Sequence, residues 1–250
     1  MARVLCISSQ TVYGPVGNSA AVPALQGEGH EVMQIPTVIL SNHPGHGKPS
    51  GQAMPAPLIQ DMLVALTHIN AFDGLDAVMT GYFTSAVQVI AVAKQIAALK
   101  AGHESLHVLV DPVIGDHGAL YVPIDVAEAI RDELLPLATI TTPNLFELTW
   151  LTGIAKVSDA VKHLNVTETI VTSVPDGADQ LATMLHIGDD QQTHIMQRHA
   201  HVPHGTGDFL AGCYLAKRLK LNPVCAFDTA MRRLESVITS SAGSPTLRFN

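Results

Sequence analysis

Two hydrophobic periods take turns along this chain. Short apolar runs at residues 4–8, 31–36, 38–41, 77–81, 106–110, 139–141 and 168–173 have the length and β-branched content of strands. Between them, apolar residues recur every three or four positions. That spacing predicts helices over residues 18–26, 58–67, 85–101, 124–135, 144–151, 158–164, 205–219 and 223–241. Boundary residues agree. Asn18 can cap the first helix and Gly27 with Gly29 ends it, Ser85 with Gln88 forms a capping box, and Pro143 stops a strand. Residues 181–187 and 192–198 read as a hairpin around Gly188-Asp189-Asp190.

Strands alternating with helices mean βαβ units, and so an α/β fold with a central, mostly parallel sheet flanked by helices. No repeat, low-complexity tract or linker interrupts it, so residues 1–250 are expected to form one domain. Ligands in such folds sit beyond the carboxyl ends of the strands. The loops after residues 8, 41, 81, 111, 141 and 173 all fall there. Residues 43–57, rich in glycine and proline, form a long loop of the kind that usually serves function.

Composition narrows the classes. Apolar residues make up 47% and charged residues only 14%, against ~25% charged in typical soluble proteins, which rules out wholesale disorder. With 14 basic and 22 acidic side chains the net charge is −8, so no basic footprint for nucleic acid is present. No apolar run reaches the ~18 residues of a membrane span. The chain enters a strand directly after Met1-Ala2-Arg3, so no signal peptide is expected. Cys6, Cys213 and Cys225 are too few and scattered for a disulfide framework, and read as reduced core fillers. The expected location is the cytoplasm.

Four stretches could carry chemistry. In His204-Gly205-Thr206-Gly207-Asp208 the glycines permit a sharp turn into a helix whose free amides and dipole favour an anion. Asp208 is then either a favourable helix-start acid or a base beside a bound phosphate. In Thr142-Pro143-Asn144-Leu145-Phe146-Glu147, Asn144 and Glu147 share one helix face. They are either an N-cap with a first-turn acid or oxygen ligands to Mg²⁺ or its water shell. Asp111, before Pro112 at a strand's carboxyl end, is either a turn former or a carboxylate facing the cleft. The stretch from Ser8 to Asn18 offers small polar groups after the first strand. No P-loop sequence occurs.

These stretches resemble the pyridoxal/pyridoxamine (vitamin B6) kinases of the ribokinase superfamily. The likeness rests on residues 9–21 with Tyr13-Gly14 and Gly17-Asn18-Ser19-Ala20-Ala21, residues 37–47 with Ser41-Asn42-His43, residues 111–122, residues 142–148, and Gly205–Asp208. It covers nearly the whole chain. Gly-Thr-Gly-Asp with Asn-x-x-Glu marks the superfamily, and the Ser41-Asn42-His43 and 111–122 stretches point to the B6 branch. The resemblance implies a three-layer ribokinase-like fold and ATP-dependent phosphorylation of the 5′-hydroxymethyl group of pyridoxal, pyridoxine or pyridoxamine. It implies Asp208 as the base, with Gly205, Thr206 and Gly207 forming an anion hole around the γ-phosphate. On the ATP side it implies Asp111, Thr142, Asn144, Glu147, Thr172, Ser173, Thr206 and Gly207, with Asp111 and Glu147 at Mg²⁺. On the vitamin side it implies Ser9, Val16, Thr37, His43 and Tyr82, with residues 112–122 as a flap over ATP. A homodimer is implied too, for which the apolar helix at 87–99 is a candidate surface, and a monovalent cation is a further candidate cofactor.

The chain departs from the family pattern at Gln10, Pro15 and Pro44, all on the vitamin side, and residues 154–168 look shorter than usual. Lys48, Arg131, Lys156 and Arg198 are the nearest cations in sequence, and none lies inside the phosphate-side stretches. Charge neutralisation is therefore expected from Mg²⁺ and helix amides, and Asp208 is expected to stay ionised at neutral pH. The rival readings are a hydroxymethylpyrimidine kinase of the same superfamily and a non-catalytic B6-binding protein. A sugar kinase fits less well, because the first loop lacks carboxamides and acids to grip several hydroxyls. Bland readings cover the rest: solvated histidines at His194, His199, His201 and His204, core aromatics at Phe146 and Trp150, gap-filling Met54, Met62 and Met79, and a solvated Arg232-Arg233 face.

Overall fold

The computed structural model describes residues 1–103, 105–199 and 201–249. In chain order it runs β1 (Arg3–Tyr13), α1 (Asn18–Gly27), β2 (Glu31–Asn42), β3 (Gly51–Ala53), α2 (Ala56–His68), β4 (Leu75–Thr80), α3 (Ala86–Gly102) and β5 (His107–Val110). A small hairpin follows, β6 (Gly115–Asp116) and β7 (Ala119–Leu120), then α4 (Ile124–Ala129), β8 (Ile140–Thr141), α5 (Leu145–Thr152) and α6 (Val157–Leu164). The rest is β9 (Glu168–Asp176), β10 (Gln180–Ile187), β11 (Asp190–Gln197), α7 (Thr206–Arg218) and α8 (Pro223–Ser240). Nine strands form one sheet in the order β11-β10-β9-β8-β5-β4-β1-β2-β3. The six central strands pair in parallel, while β3 at one edge and β10-β11 at the other are antiparallel.

The period-2 alternation explains the layers. Val4 and Cys6 of β1 face one core with Ala77, Met79 and Leu109, packed against α1, α7 and α8. Leu5 and Ile7 face the other core with Val78, Val108 and Val110, packed against α2, α3 and α4. Both faces of the central strands are thus buried, as their unbroken apolar runs require. Residues Phe209 to Ala216 of α7 are buried without interruption, because this helix lies between sheet and helices. Gly212 lets it approach α1: a Cβ there would lie 2.9 Å from the Ala21 backbone. Glu168, buried at the start of β9, is paired, accepting from the Tyr214 hydroxyl at 2.5 Å and from Arg218 Nε at 2.9 Å.

Several local expectations change. β1 continues past residue 8 to Tyr13, because its ladder with β2 resumes after a bulge. That bulge puts two β2 residues, Thr37 and Val38, opposite Ser9, so residues 31–41 form one strand with an irregularity in it. Asn18 does not cap α1. Gly17 is its N-cap, at φ 55°, and the Asn18 amide donates to the Ser8 and Ile35 carbonyls. Gln88 makes no full capping box with Ser85; it spans Thr84, Thr37 and Met54. The helix expected over 124–135 is α-helical only to Ala129 and continues as a π turn. Cys6 and Cys213 are buried core fillers, but Cys225 is exposed. Phe146 and Trp150 are only partly buried: Phe146 packs on Gly115 of the hairpin, and Arg131 covers Trp150. Among the described residues no helix is long and apolar enough to cross a membrane.

Candidate active site

The parallel strands deliver their carboxyl ends to one rim, and the polar residues of the sequence motifs gather along it. Asp208 stands in the first turn of α7. The preceding Gly205, at φ 96°, makes the turn that aims the helix there. A Cβ on Gly205 would meet the Pro15 carbonyl at 2.0 Å, so this turn is seated directly on the β1–α1 loop. Gly207 has open space around it, which leaves its backbone approachable. The Asp208 carboxylate accepts backbone N–H bonds from Gly17 and from its own residue. Burial outweighs these and pushes its carboxyl up to about 6. The helix-start amides, expected to hold it ionised, are thus not the dominant influence.

One side of Asp208 is lined by small and hydroxyl groups. Its Oδ1 lies 3.9 Å from where a Gly81 Cβ would be, and that Cβ would meet Ser8 Oγ at 2.5 Å. Ser8 Oγ accepts from Tyr82 N at 3.1 Å, and Thr37 Oγ1 donates to the Tyr82 carbonyl at 2.7 Å. Gln88 Nε2 in turn donates to the Thr37 carbonyl at 2.9 Å. Ser9 and Val16 are buried beside them, with Ser9 against Gly17. The bulge in β2 is what presents Thr37 to this wall.

The other side is acidic. Asp111 is buried at the end of β5, and desolvation, then Glu147 and Asp208, raise its carboxyl well above the usual range. Glu147 is buried in the first turn of α5, with its carboxyl pushed up to about 7 by desolvation. Both its oxygens are engaged: Oε1 accepts from Ile114 N at 2.8 Å and Oε2 from Asn144 N at 2.9 Å. Asn144 completes a capping box through Oδ1, which accepts from Glu147 N at 2.9 Å, and its Nδ2 donates to the Gly115 carbonyl at 2.8 Å. So the capping reading of this pair holds, and the cap also fastens the root of the 112–122 flap. Tyr121 of the 112–122 loop is half-exposed as a residue, yet burial of its hydroxyl first, and then Glu147, Asp111, Asp208 and Asp116, raise that group.

Comparisons with known proteins show the family and the fold. A family model described as phosphomethylpyrimidine kinase matches residues 20–244. A pyridoxine/pyridoxal/pyridoxamine kinase of Bordetella pertussis is 37% identical over 238 residues, which is 88% of this chain and 82% of that protein. The chain belongs to the vitamin B6 kinases of the ribokinase superfamily. A pyridoxal kinase of Leifsonia xyli is 31% identical over 250 residues, covering 94% of this chain and 87% of that one. The solved pyridoxal kinase of Leishmania donovani, in complex with ADP and pyridoxamine, has a TM-score of 0.91 at 29% identity. That alignment covers 100% of this chain and 93% of that chain, and the fold is the expected three-layer ribokinase-like one.

The positions that resemble those of B6 kinases lie along this one rim. Asn144 bridges to Thr172, whose N–H donates to the Pro143 carbonyl at 3.0 Å. Ser173 is exposed at φ 59°, an irregularity inside β9 rather than the strand's end, since β9 runs on to Asp176. His43 stands on the vitamin-side loop, where its Nδ1 accepts from Gly45 N at 3.1 Å. Sequence reasoning named Ser8 only within the 8–18 stretch and gave no site role to Gly81 or Gln88. Ser8 precedes the irregularity in the β1–β2 ladder and Gly81 follows β4 directly, and the strand ends expected at residues 8 and 81 were the available signal. The pattern marked Gln88 only as a helix-start residue, because its partners Thr37 and Met54 are distant in sequence.

The donor set fits Mg²⁺. Asp111 and Glu147 would offer hard oxygen donors from a desolvated acidic wall, whose charge a dication would relieve. Among the described residues no three His, Cys, Asp or Glu side chains form a ready ligand group. That suits a metal that keeps waters and takes further oxygens from substrate phosphates.

Proposed function

We propose that this protein transfers the γ-phosphoryl group of ATP to the 5′-hydroxymethyl group of pyridoxal, pyridoxine or pyridoxamine, giving pyridoxal 5′-phosphate or the matching phosphorylated vitamer. The observation that carries this is the position of Asp208, between a wall of hydroxyl and small residues and an acidic, amide-rich wall. On this reading residues 1–250 work as one catalytic domain, within a homodimer.

Asp208 accepts the proton of the vitamer hydroxyl as its oxygen meets the phosphoryl group, so no free alkoxide has to form first. Such a base contributes roughly 10²–10⁴-fold. The amides of Gly205, Thr206 and Gly207, at the positive end of α7, receive the negative charge of the transferring group. Ser9, Val16, Thr37, His43 and Tyr82 hold the ring so that its hydroxymethyl faces Asp208. Thr142, Asn144, Thr172 and Ser173 contact the nucleotide, and the 112–122 flap excludes water from it. Asp111 and Glu147 would hold Mg²⁺, which when bound neutralises the phosphate oxygens.

A spectrophotometric panel tests the proposal. Pyridoxal, pyridoxine, pyridoxamine and hydroxymethylpyrimidine are each supplied with ATP and Mg²⁺, and ADP release is followed for the native chain and for Asp208→Asn. Turnover of B6 vitamers by the native chain, lost in Asp208→Asn, is the expected result. Preference for hydroxymethylpyrimidine would favour the other kinase reading, which the name of the matching family model also suits. Tight pyridoxal binding with no turnover in either form would favour a binding protein.

A further inference from the structure

His204 precedes the Gly-Thr-Gly-Asp turn, and the proposed reaction gives it no task. It is exposed, as a solvated histidine is expected to be, yet its ring has partners. Its ring lies 4.1 Å from that of His43, centroid to centroid, at 36°. His46 stands edge-on to both rings, at 6.3 Å from His43 and 6.2 Å from His204, and Tyr13 stands edge-on to His46 at 5.1 Å. Three segments therefore meet through aromatic rings: the end of β1, the 43–47 loop, and the entry to α7.

Two glycines make room for this contact. A Cβ on Gly45 would lie 2.3 Å from His204 Nε2, and one on Gly14 would lie 2.8 Å from the His46 ring. The arrangement is a tilted ring-on-ring contact and not a chelate, since no metal-ligating group forms among the described residues. It is also a contact of neutral rings. His43 Nδ1 accepts from Gly45 N, which leaves its proton on Nε2. Burial first, and then His204 and His46, lower the His43 imidazole to about 4. Burial and His46 lower that of His204.

We propose that His204 is a positioning residue: by packing its ring on His43 it locks the vitamin-side 43–47 loop to the turn that carries Gly205 and Asp208. The inference rests on the B6 kinase reading, because the locked loop is the one assigned to the vitamin ring. The lock joins the two halves of the site that must agree in position, the ring-holding wall and the phosphoryl-receiving turn. An aromatic pair of this kind shifts an equilibrium by a factor of roughly 2–10.

His204→Ala and His204→Phe, compared with the native chain, test it by two readouts. The first is NMR titration of the His43 imidazole without ligands. His204→Ala should move the His43 ring resonances and bring its titration up from about 4 towards the ordinary histidine range. The second is steady-state kinetics. His204→Ala should raise the KM for pyridoxal roughly three- to tenfold, with kcat and the KM for ATP unchanged. His204→Phe, which keeps a flat ring against His43, should recover most of that loss. An unmoved His43 titration, an unmoved pyridoxal KM, or equal losses in the two variants would each overturn the lock. A native chain that turns over no B6 vitamer would instead sink the kinase reading, and the NMR arm alone would then decide whether the lock exists.

Discussion

At the scale of single residues, the site is a concentration of unfavourable charge. Asp111, Glu147 and Asp208 are all held above their ordinary carboxylate range, mainly because water is kept from them. Function and stability should therefore conflict at Asp208. Its folded value of about 6 exceeds its usual 3.8, so its stabilising contribution is complete below 3.8 and is lost as pH rises through 6. Above pH 6 the ionised carboxylate carries a penalty that an amide does not. Asp208→Asn should lower kcat by about 10²-fold or more. In metal-free solution it should also gain on the order of 1–2 kcal/mol, allowing for partial exposure of the side chain. That corresponds to several degrees in Tm at pH 8, with the gain disappearing towards pH 4. Melting curves for both forms across that range check it. A variant-minus-native difference that stays flat with pH would contradict this account of the carboxylate.

At the scale of elements, the N-terminus of α5 links a helix cap to a loop. Asn144 caps α5 through Oδ1 and anchors Gly115 of the flap through Nδ2. Asn144→Ala should lose about 1 kcal/mol from the cap and about as much again from the second bond. A loosened flap should raise the KM for ATP while the KM for pyridoxal stays put; varying each substrate in turn separates the two. Gly205→Ala should do worse, because its φ of 96° and the Pro15 carbonyl leave no place for a Cβ, so loss of both folding yield and activity is expected. The capping pair shows how far sequence carries. Asn-x-x-Glu is a local pattern with a local consequence, and the cap was legible. That the same Glu147 would grip Ile114 and Gly115 was not, because those partners are over 30 positions away and only the β5–β8 adjacency brings them in. The β2 bulge was half legible, as a break in the apolar run at Thr37. The His43–His204 contact was hidden altogether: spacing along the chain has no bearing on two loops that meet only after the sheet has formed.

At the scale of the whole molecule, the question is where the positive charge for a triphosphate comes from. The chain carries a net charge of −8, and many of its cations are committed elsewhere. Arg3 pairs with Glu31, Arg131 with Asp132, Lys156 with Asp159, Lys162 with Asp189, Lys217 and Lys220 with Glu28, and Arg218 with Glu168. None of these partners belongs to the proposed site. A nucleotide entering without a metal would thus bring its own anions to three carboxylates, with the α7 amides in its favour. Chelation by EDTA should abolish turnover, and added Mg²⁺ should restore it. The same logic governs stability. ADP with Mg²⁺, at about 100 times its Kd, should stabilise the fold by roughly 2.7 kcal/mol, whereas ADP in EDTA should leave Tm nearly unmoved. The difference between the two should also widen from pH 5 to pH 8, since Asp208 at about 6 and Glu147 at about 7 gain their charges across that interval and need a counter-ion only once they have them. Equal thermal shifts for ADP with and without Mg²⁺ would mean that the acidic wall is not where the nucleotide's phosphates lie.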